Sequence, residues 1–171
     1  MPITTPAIKV NSVKNYGGKV ILQGDNFDEA FKFAKDLAKR EGYTFIHPYD
    51  DKDVIVGQGT VGKELIEQID NGIDAVFVPV GGGGLLAGLG TYIKAVSPKT
   101  KIIGVEPEDA ACLKLALENN KRLSLSEVGL FADGVAVKQI GKRTYSLIKE
   151  WIDDVVTVSV DEMLSLIHIS E

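Results

Sequence analysis

Four consecutive glycines, Gly81, Gly82, Gly83 and Gly84, follow the apolar run Ala75-Val76-Phe77-Val78-Pro79-Val80 and precede Leu85-Leu86-Ala87-Gly88-Leu89. A buried strand, a side-chain-free loop and a helix start in direct succession restrict the chain to folds in which a strand feeds a helix through a tight turn. Such a turn suits phosphate. Successive bare amides converge on an anion, and the first N–H groups of the helix lack an intrahelical partner. A cofactor or substrate carrying phosphate is the first functional expectation.

The alternation continues on both sides. Lys19-Val20-Ile21-Leu22 reads as a strand, and Asn26 with Glu29 forms a capping-box-like start to a helix reaching about Arg40. Its core stripe is Phe27, Ala30, Phe31, Ala34, Leu37 and Ala38, and Gly42 supplies the stop. Tyr43-Thr44-Phe45-Ile46 reads as a second strand, and His47-Pro48-Tyr49-Asp50-Asp51-Lys52 as a polar connection at a subdomain boundary. Asp53-Val54-Ile55-Val56 leads into Gly57-Gln58-Gly59-Thr60, read as a strand-to-helix turn with Thr60 as the cap of a helix reaching about Ile69.

After the glycine loop come a helix from Leu85 to about Val96, a strand from Lys101 to Glu106 and a helix from Ala110 to about Asn119. Residues 123–138 are irregular. Ile140, Thr144, Leu147, Ile148, Trp151 and Ile152 then mark an amphipathic helix, and Asp154 to Val158 reads as a strand. The expected architecture is α/β, a mostly parallel sheet with helices on both faces in three layers. Ligands of such sheets bind beyond the carboxyl ends of the strands, where the glycine loop lies.

Composition narrows the function. The 171 residues are enough for a domain-sized core, and a net charge of −5 without a basic cluster gives no support for a nucleic-acid surface. Cys112 is the single cysteine, which rules out an internal disulfide and fits a small buried residue in a reducing, cytoplasmic setting. No apolar run has the length of a membrane span, and residues 1–10 do not read as a signal peptide. His47 and His168 lack the neighbours that catalysis requires and read as loop and tail residues.

The loop by itself leaves its ligand open. Gly82, Gly84 and Ala87 satisfy G-x-G-x-x-A, and Glu106 ends the next strand about 20 residues on, as a ribose-gripping acid would. A phosphate monoester, a dinucleotide and a purely structural glycine turn all remain readings of this pattern.

The wider chain adds a resemblance. Pro6, Asp25-Asn26-Phe27-Asp28-Glu29-Ala30, Val54-Ile55-Val56-Gly57-Gln58-Gly59-Thr60, Val78-Pro79-Val80-Gly81-Gly82-Gly83-Gly84-Leu85, Val105-Glu106 and Val128-Gly129-Leu130-Phe131-Ala132-Asp133-Gly134-Val135-Ala136-Val137 together resemble the threonine dehydratase family. The last segment resembles its biosynthetic branch, which feeds isoleucine synthesis. These are fold type II enzymes of the tryptophan-synthase-like class that use pyridoxal 5'-phosphate. The resemblance implies that the amides of Gly81, Gly82, Gly83, Gly84 and Leu85 hold the cofactor phosphate and that backbone near Gly134 lies beside the ring. A glycine at 134 permits that approach, although a turn glycine is an equal reading.

It also implies an amino-acid substrate, threonine with serine as a close analogue, and a homo-oligomeric parent. Tyr49 follows His47-Pro48 where dehydratases tend to have an aromatic residue and serine racemase an amide. Glu106 and the carbonyl of Ala110 match positions that help bind a cation in the racemase. Cys112 replaces the acidic ligand there, so no metal site is expected and Glu106 reads as a solvated strand-end carboxylate.

In this family a lysine in a Ser-x-Lys-x-Arg-Gly-like motif forms the Schiff base with the cofactor, and no lysine of this sequence sits in such a motif. The family's ring-contacting asparagine and pyridine-nitrogen serine also match no segment here, so no catalytic residue is assigned. Residues 1–52 are expected to be the latter part of a small subdomain and 53–163 part of the large cofactor-binding domain. Residues 164–171 resemble translated sequencing-adapter sequence and are expected to be a non-native tail.

Overall fold

The computed structural model describes residues 1–25, 27–129 and 131–167. The chain forms two compact units, Met1–Ile46 and His47–Glu171.

The first unit is helical. Helix α1 is Ala7–Asn15 and α2 is Phe27–Glu41, which Gly42 ends in the left-handed region at φ 72°. The sequence reading missed α1, whose residues carry no apolar stripe. In α2, Ala30 and Ala38 are buried, whereas Phe27 is 49% exposed and stacks on Phe31 with ring centroids 5.7 Å apart. The Glu29 carboxylate accepts the Asp25 amide at 2.9 Å, while Asn26, the expected cap, lies outside the described residues.

Neither expected strand of this unit forms. Residues 21–24 exchange three backbone bonds with Met1 and Ile3 and have no further ladder, and Tyr43 and Ile46 are exposed. An extended segment becomes a strand only when a neighbour satisfies its amides in register.

The second unit carries the sheet. Among the described residues its strands are β1 (Ala75–Pro79), β2 (Lys101–Pro107) and β3 (Asp154–Val158), parallel and in the order β1-β2-β3. Ala75 pairs with Lys101, and Ile103 with Asp154. Helix α3 is Lys52–Gln68 and α4, linking β1 to β2, is Gly84–Val96. Helices α5 (Cys112–Glu118) and α6 (Lys142–Ile148) lie between β2 and β3, and α7 is Val160–Ile167. This is the parallel α/β class that the alternation predicts.

Val78, Val80, Leu86, Ile93, Ile102, Leu113, Ile140 and Ile148 form the core with essentially no exposure. Leu113 of α5 packs over Gly104 on one face of the sheet, whereas Phe77, on the other, is 63% exposed. Among the described residues no helix is long and apolar enough to cross a membrane.

The G-Q-G-T segment departs from its expected form. Gly57, Gln58, Gly59 and Thr60 lie inside α3, which begins five residues earlier because the Asp51 carboxylate caps it through the amides of Asp53 and Val54 at 2.8 and 3.4 Å. Thr60 therefore caps nothing; its hydroxyl donates to the Gly57 carbonyl at 2.7 Å. The glycines let α3 and α4 approach closely. A Cβ on Gly62 would stand 2.9 Å from the Leu89 carbonyl oxygen, and one on Gly88 would strike the carbonyl of Ile55.

Candidate functional site

The glycine loop leaves the carboxyl end of β1 and turns into α4 at Gly83, the N-cap, whose φ of 88° favours a residue without a side chain. Its carbonyls are anchored inward. The Gly82 carbonyl accepts from the Thr144 hydroxyl at 2.8 Å and from the Gly141 amide at 3.2 Å. That of Gly83 accepts the Ala87 amide at 2.8 Å, and that of Gly81 the Cys112 thiol at 3.5 Å.

The amides are left over. Among the described residues, none of the N–H groups of Gly81, Gly82 and Gly83 has a backbone or side-chain acceptor, and those of Gly84, Leu85 and Leu86 precede the first intrahelical bond of α4. Gly82, Gly83 and Gly84 are buried. An unpaired buried amide costs about 1–3 kcal/mol, a cost that an anion seated on the loop offsets, helped by the partial positive charge at the start of a helix.

Close contacts surround the loop. A Cβ on Gly81 would stand 3.0 Å from Val135 Cα, one on Gly82 would enter the Tyr49 ring, and one on Gly83 would stand 2.7 Å from Ile140 Cδ1. Gly84 is as tightly covered, by the backbone of Tyr49 at 3.0 Å. Gly134 lies in a single 3-10 turn, Asp133–Val135, and is open: a Cβ there meets nothing within 4 Å. The fold thus brings the backbone of Val135, the neighbour of Gly134, against Gly81, with open space at the Gly134 Cβ position.

The stretch from His47 to Asp51, read as a connection, is a clasp. The His47 Nδ1 accepts the amides of Tyr49 and Asp50 at 3.3 and 2.9 Å, and its ring meets the Tyr49 ring edge-on at 4.7 Å. Asp50 caps α6 by accepting the amides of Lys142, Arg143 and Thr144 at 2.9, 2.7 and 3.2 Å. His47 therefore has a structural task in the loop, while His168 lies outside the described residues. Sequence reasoning weighed Tyr49 but missed Asp50 and Thr144. Asp51, directly before a helix, was readable as a cap; Asp50 serves a helix far along the chain and left no local signal.

Glu106 corrects another expectation. It is fully buried, and its oxygens accept the amides of Leu113 and Lys114 at 2.8 and 2.9 Å, at the start of α5. It is not a solvated strand-end carboxylate, and with both oxygens engaged it is not available to a ribose. The dinucleotide reading loses its acidic partner. Burial raises the Glu106 pKa against the opposing pull of those amides. Burial, and then the neighbouring Glu106 charge, push the Cys112 thiol up to about 12, so it is no nucleophile.

A groove of about 970 Å³ between α3, α4 and α6 has four cations, Lys52, Lys63, Lys142 and Arg143, around an apolar floor. None of the expected site residues lines it.

A parallel α/β sheet with a glycine loop at the carboxyl end of a strand belongs to the α/β class whose ligands bind beyond the strand ends. Residues 1–169 match the family described as pyridoxal-phosphate dependent enzyme, and the chain belongs to that family. The biosynthetic, chloroplastic threonine dehydratase 1 of Solanum lycopersicum is 56% identical over 167 residues, covering 98% of this chain and 28% of that protein. The solved structure of processed threonine deaminase isoform 2 from the same species superposes with a TM-score of 0.88 at 50% identity, covering 93% of this chain and 46% of that one. Maize serine racemase superposes with a TM-score of 0.92 at 32% identity, covering 98% of this chain and 50% of that one. The chain spans about a third of the length of the curated relatives it matches.

Proposed function

We propose that this chain forms the phosphate cradle of a pyridoxal-phosphate dependent threonine ammonia-lyase, whose whole form converts threonine to 2-oxobutyrate and ammonia on the route to isoleucine. The observation that carries the reading is the set of amides at residues 81–86 that have no acceptor among the described residues, in a loop whose Gly81, Gly82 and Gly83 carbonyls are each taken by a donor of the protein. The amides of Gly81, Gly82, Gly83, Gly84 and Leu85 would hold the phosphate, and the free space beside Gly134 would admit the ring. When bound, the cofactor supplies an electron sink for the pair released at the substrate α-carbon.

This chain's own residues bind and orient. Tyr49, pressed on Gly82 and Gly84, shields the loop from water, which strengthens the attraction between amides and anion. The buried loop and the caps at Asp50 and Asp51 hold the cradle's shape before the ligand arrives. No lysine here stands in the family's catalytic motif, so proton removal from the substrate is assigned to residues outside this sequence. Tyr49 and the threonine dehydratase relatives support threonine as substrate, with serine as a close analogue, over racemisation.

The whole enzyme is proposed to be a homo-oligomer. The first compact unit is proposed as the latter part of the small subdomain expected over 1–52, the second as part of the large domain expected over 53–163, and residues 164–171 as a non-native tail. The single cysteine supports a reducing compartment, proposed as the cytoplasm.

Thermal denaturation with added ligand tests the reading. Pyridoxal phosphate should raise the melting temperature of the 171-residue chain, NAD should not, and threonine should be left unconverted. Protection by NAD and not by pyridoxal phosphate would refute the cofactor assignment, and threonine deamination by the chain would refute the division of labour.

A further inference from the structure

The peptide joining Gly82 to Gly83 carries its carbonyl and its N–H on opposite sides, because it is trans. Whatever fixes the Gly82 carbonyl therefore also aims the Gly83 amide. Two donors fix it, the Thr144 hydroxyl at 2.8 Å and the Gly141 amide at 3.2 Å, both at the start of α6. With the carbonyl turned toward α6, the Gly83 N–H faces away from it, and no acceptor among the described residues takes it.

Thr144 has 0% exposure. A β-branched apolar residue of the same volume would fill this place without the cost of burying a hydroxyl. Among the described residues the hydroxyl has one hydrogen-bond partner, the loop carbonyl. Its own backbone is located by Asp50, which accepts the Thr144 amide at 3.2 Å. The absence of a side chain on Gly83 keeps this geometry open, since a Cβ there would stand 3.0 Å from Thr144 Oγ1.

We infer that Thr144 is a positioning residue for the phosphate loop: its hydroxyl sets the orientation of the 82–83 peptide and so aims the Gly83 N–H at the ligand's phosphate. The inference rests on the reading of residues 81–85 as the phosphate cradle. It makes α6 part of the site through its hold on the Gly82 carbonyl.

The test compares the wild-type 171-residue chain with Thr144→Val and Thr144→Ser, measuring dissociation constants for pyridoxal phosphate and for pyridoxal, which lacks the phosphate. Thr144→Val should weaken pyridoxal phosphate about tenfold, the equivalent of one buried hydrogen bond, and leave pyridoxal within about twofold. Thr144→Ser should restore the phosphate-dependent affinity. Unchanged pyridoxal phosphate affinity in Thr144→Val overturns the inference. So does an equal loss for both ligands, which marks a residue that only holds the fold.

A wild-type chain that does not prefer pyridoxal phosphate to pyridoxal overturns the cradle reading itself, and the inference with it. Should Thr144→Val fail to fold, the wild-type amide spectrum decides. The Gly83 N–H must shift when pyridoxal phosphate is added, and an unmoved Gly83 resonance overturns the proposal.

Discussion

Asp50 reaches 93 residues along the chain to accept the backbone amide of Arg143 at 2.7 Å, and the same carboxylate takes the amides of Lys142 and Thr144. One side chain beside Tyr49 thus satisfies three orphan donors of α6 and ties the ring that covers Gly82 to the helix that holds the Gly82 carbonyl. Gly141 admits it, because a Cβ there would stand 2.5 Å from Asp50 Oδ1.

Removing this cap should loosen loop and helix together. Asp50→Ala is expected to cost about 1–2 kcal/mol in a urea denaturation series, the range of a lost N-cap. Asp50→Asn keeps an oxygen for Arg143 and Thr144 and should cost less than half as much. An Ala variant as stable as wild type would mean that the bonds to α6 add nothing net.

What the sequence disclosed was what is local. The run from Ala75 to Val80, four glycines and Leu85-Leu86 declare strand, loop and helix within a dozen residues, and the structure has β1, the loop and α4 there. What stayed hidden depends on distant partners. Gly57 and Gly59 looked like a turn because glycine weakens an isolated helix, yet α4 packs against that stretch and Gly59 lies 3.4 Å (as a Cβ) from the Gly88 carbonyl. Glu106 looked solvated because nothing nearby in sequence shows that the amides of Leu113 and Lys114 will fold back on it. Asp50 was hidden for the same reason.

Two glycines of the proposed site should respond differently to a methyl group. Gly83→Ala places a side chain at φ 88°, 2.7 Å from Ile140, and should cost about 2–4 kcal/mol from backbone strain and overpacking. Gly134→Ala meets nothing within 4 Å and should leave stability within about 0.5 kcal/mol. On the proposed reading it should still weaken pyridoxal phosphate, because the new methyl enters the space assigned to the ring. Denaturation and ligand titration of both variants check this; Gly134→Ala with wild-type affinity would return Gly134 to a plain turn glycine.

The same contrast separates two helical glycines. In Gly88→Ala the added carbon would lie against the Ile55 carbonyl and 2.7 Å from the Gly59 nitrogen, so α3 and α4 must part; the expected loss is about 3 kcal/mol. Gly57, in α3 where Gly88 is in α4, has open space at its Cβ, so Gly57→Ala should gain about 0.5–1 kcal/mol by restricting the unfolded chain and favouring helix. Melting temperatures that move in the same direction for both would contradict the close α3–α4 crossing.

Cys112 predicts an alkaline limit to stability. Its thiol is pushed from an ordinary 9.0 up to about 12, first by burial and then by the Glu106 carboxylate. The folded chain keeps a proton that the unfolded chain releases above about pH 9. The contribution is therefore whole below pH 9 and is lost as the pH climbs toward 12, at up to about 1.4 kcal/mol per pH unit. Cys112→Ala removes the ionisable group, so its stability should fall less steeply than wild type between about pH 9 and 11, and the native thiol should resist alkylation until the chain unfolds. Parallel curves for the two proteins, or rapid alkylation of the folded wild type, would mean that the thiol is solvated.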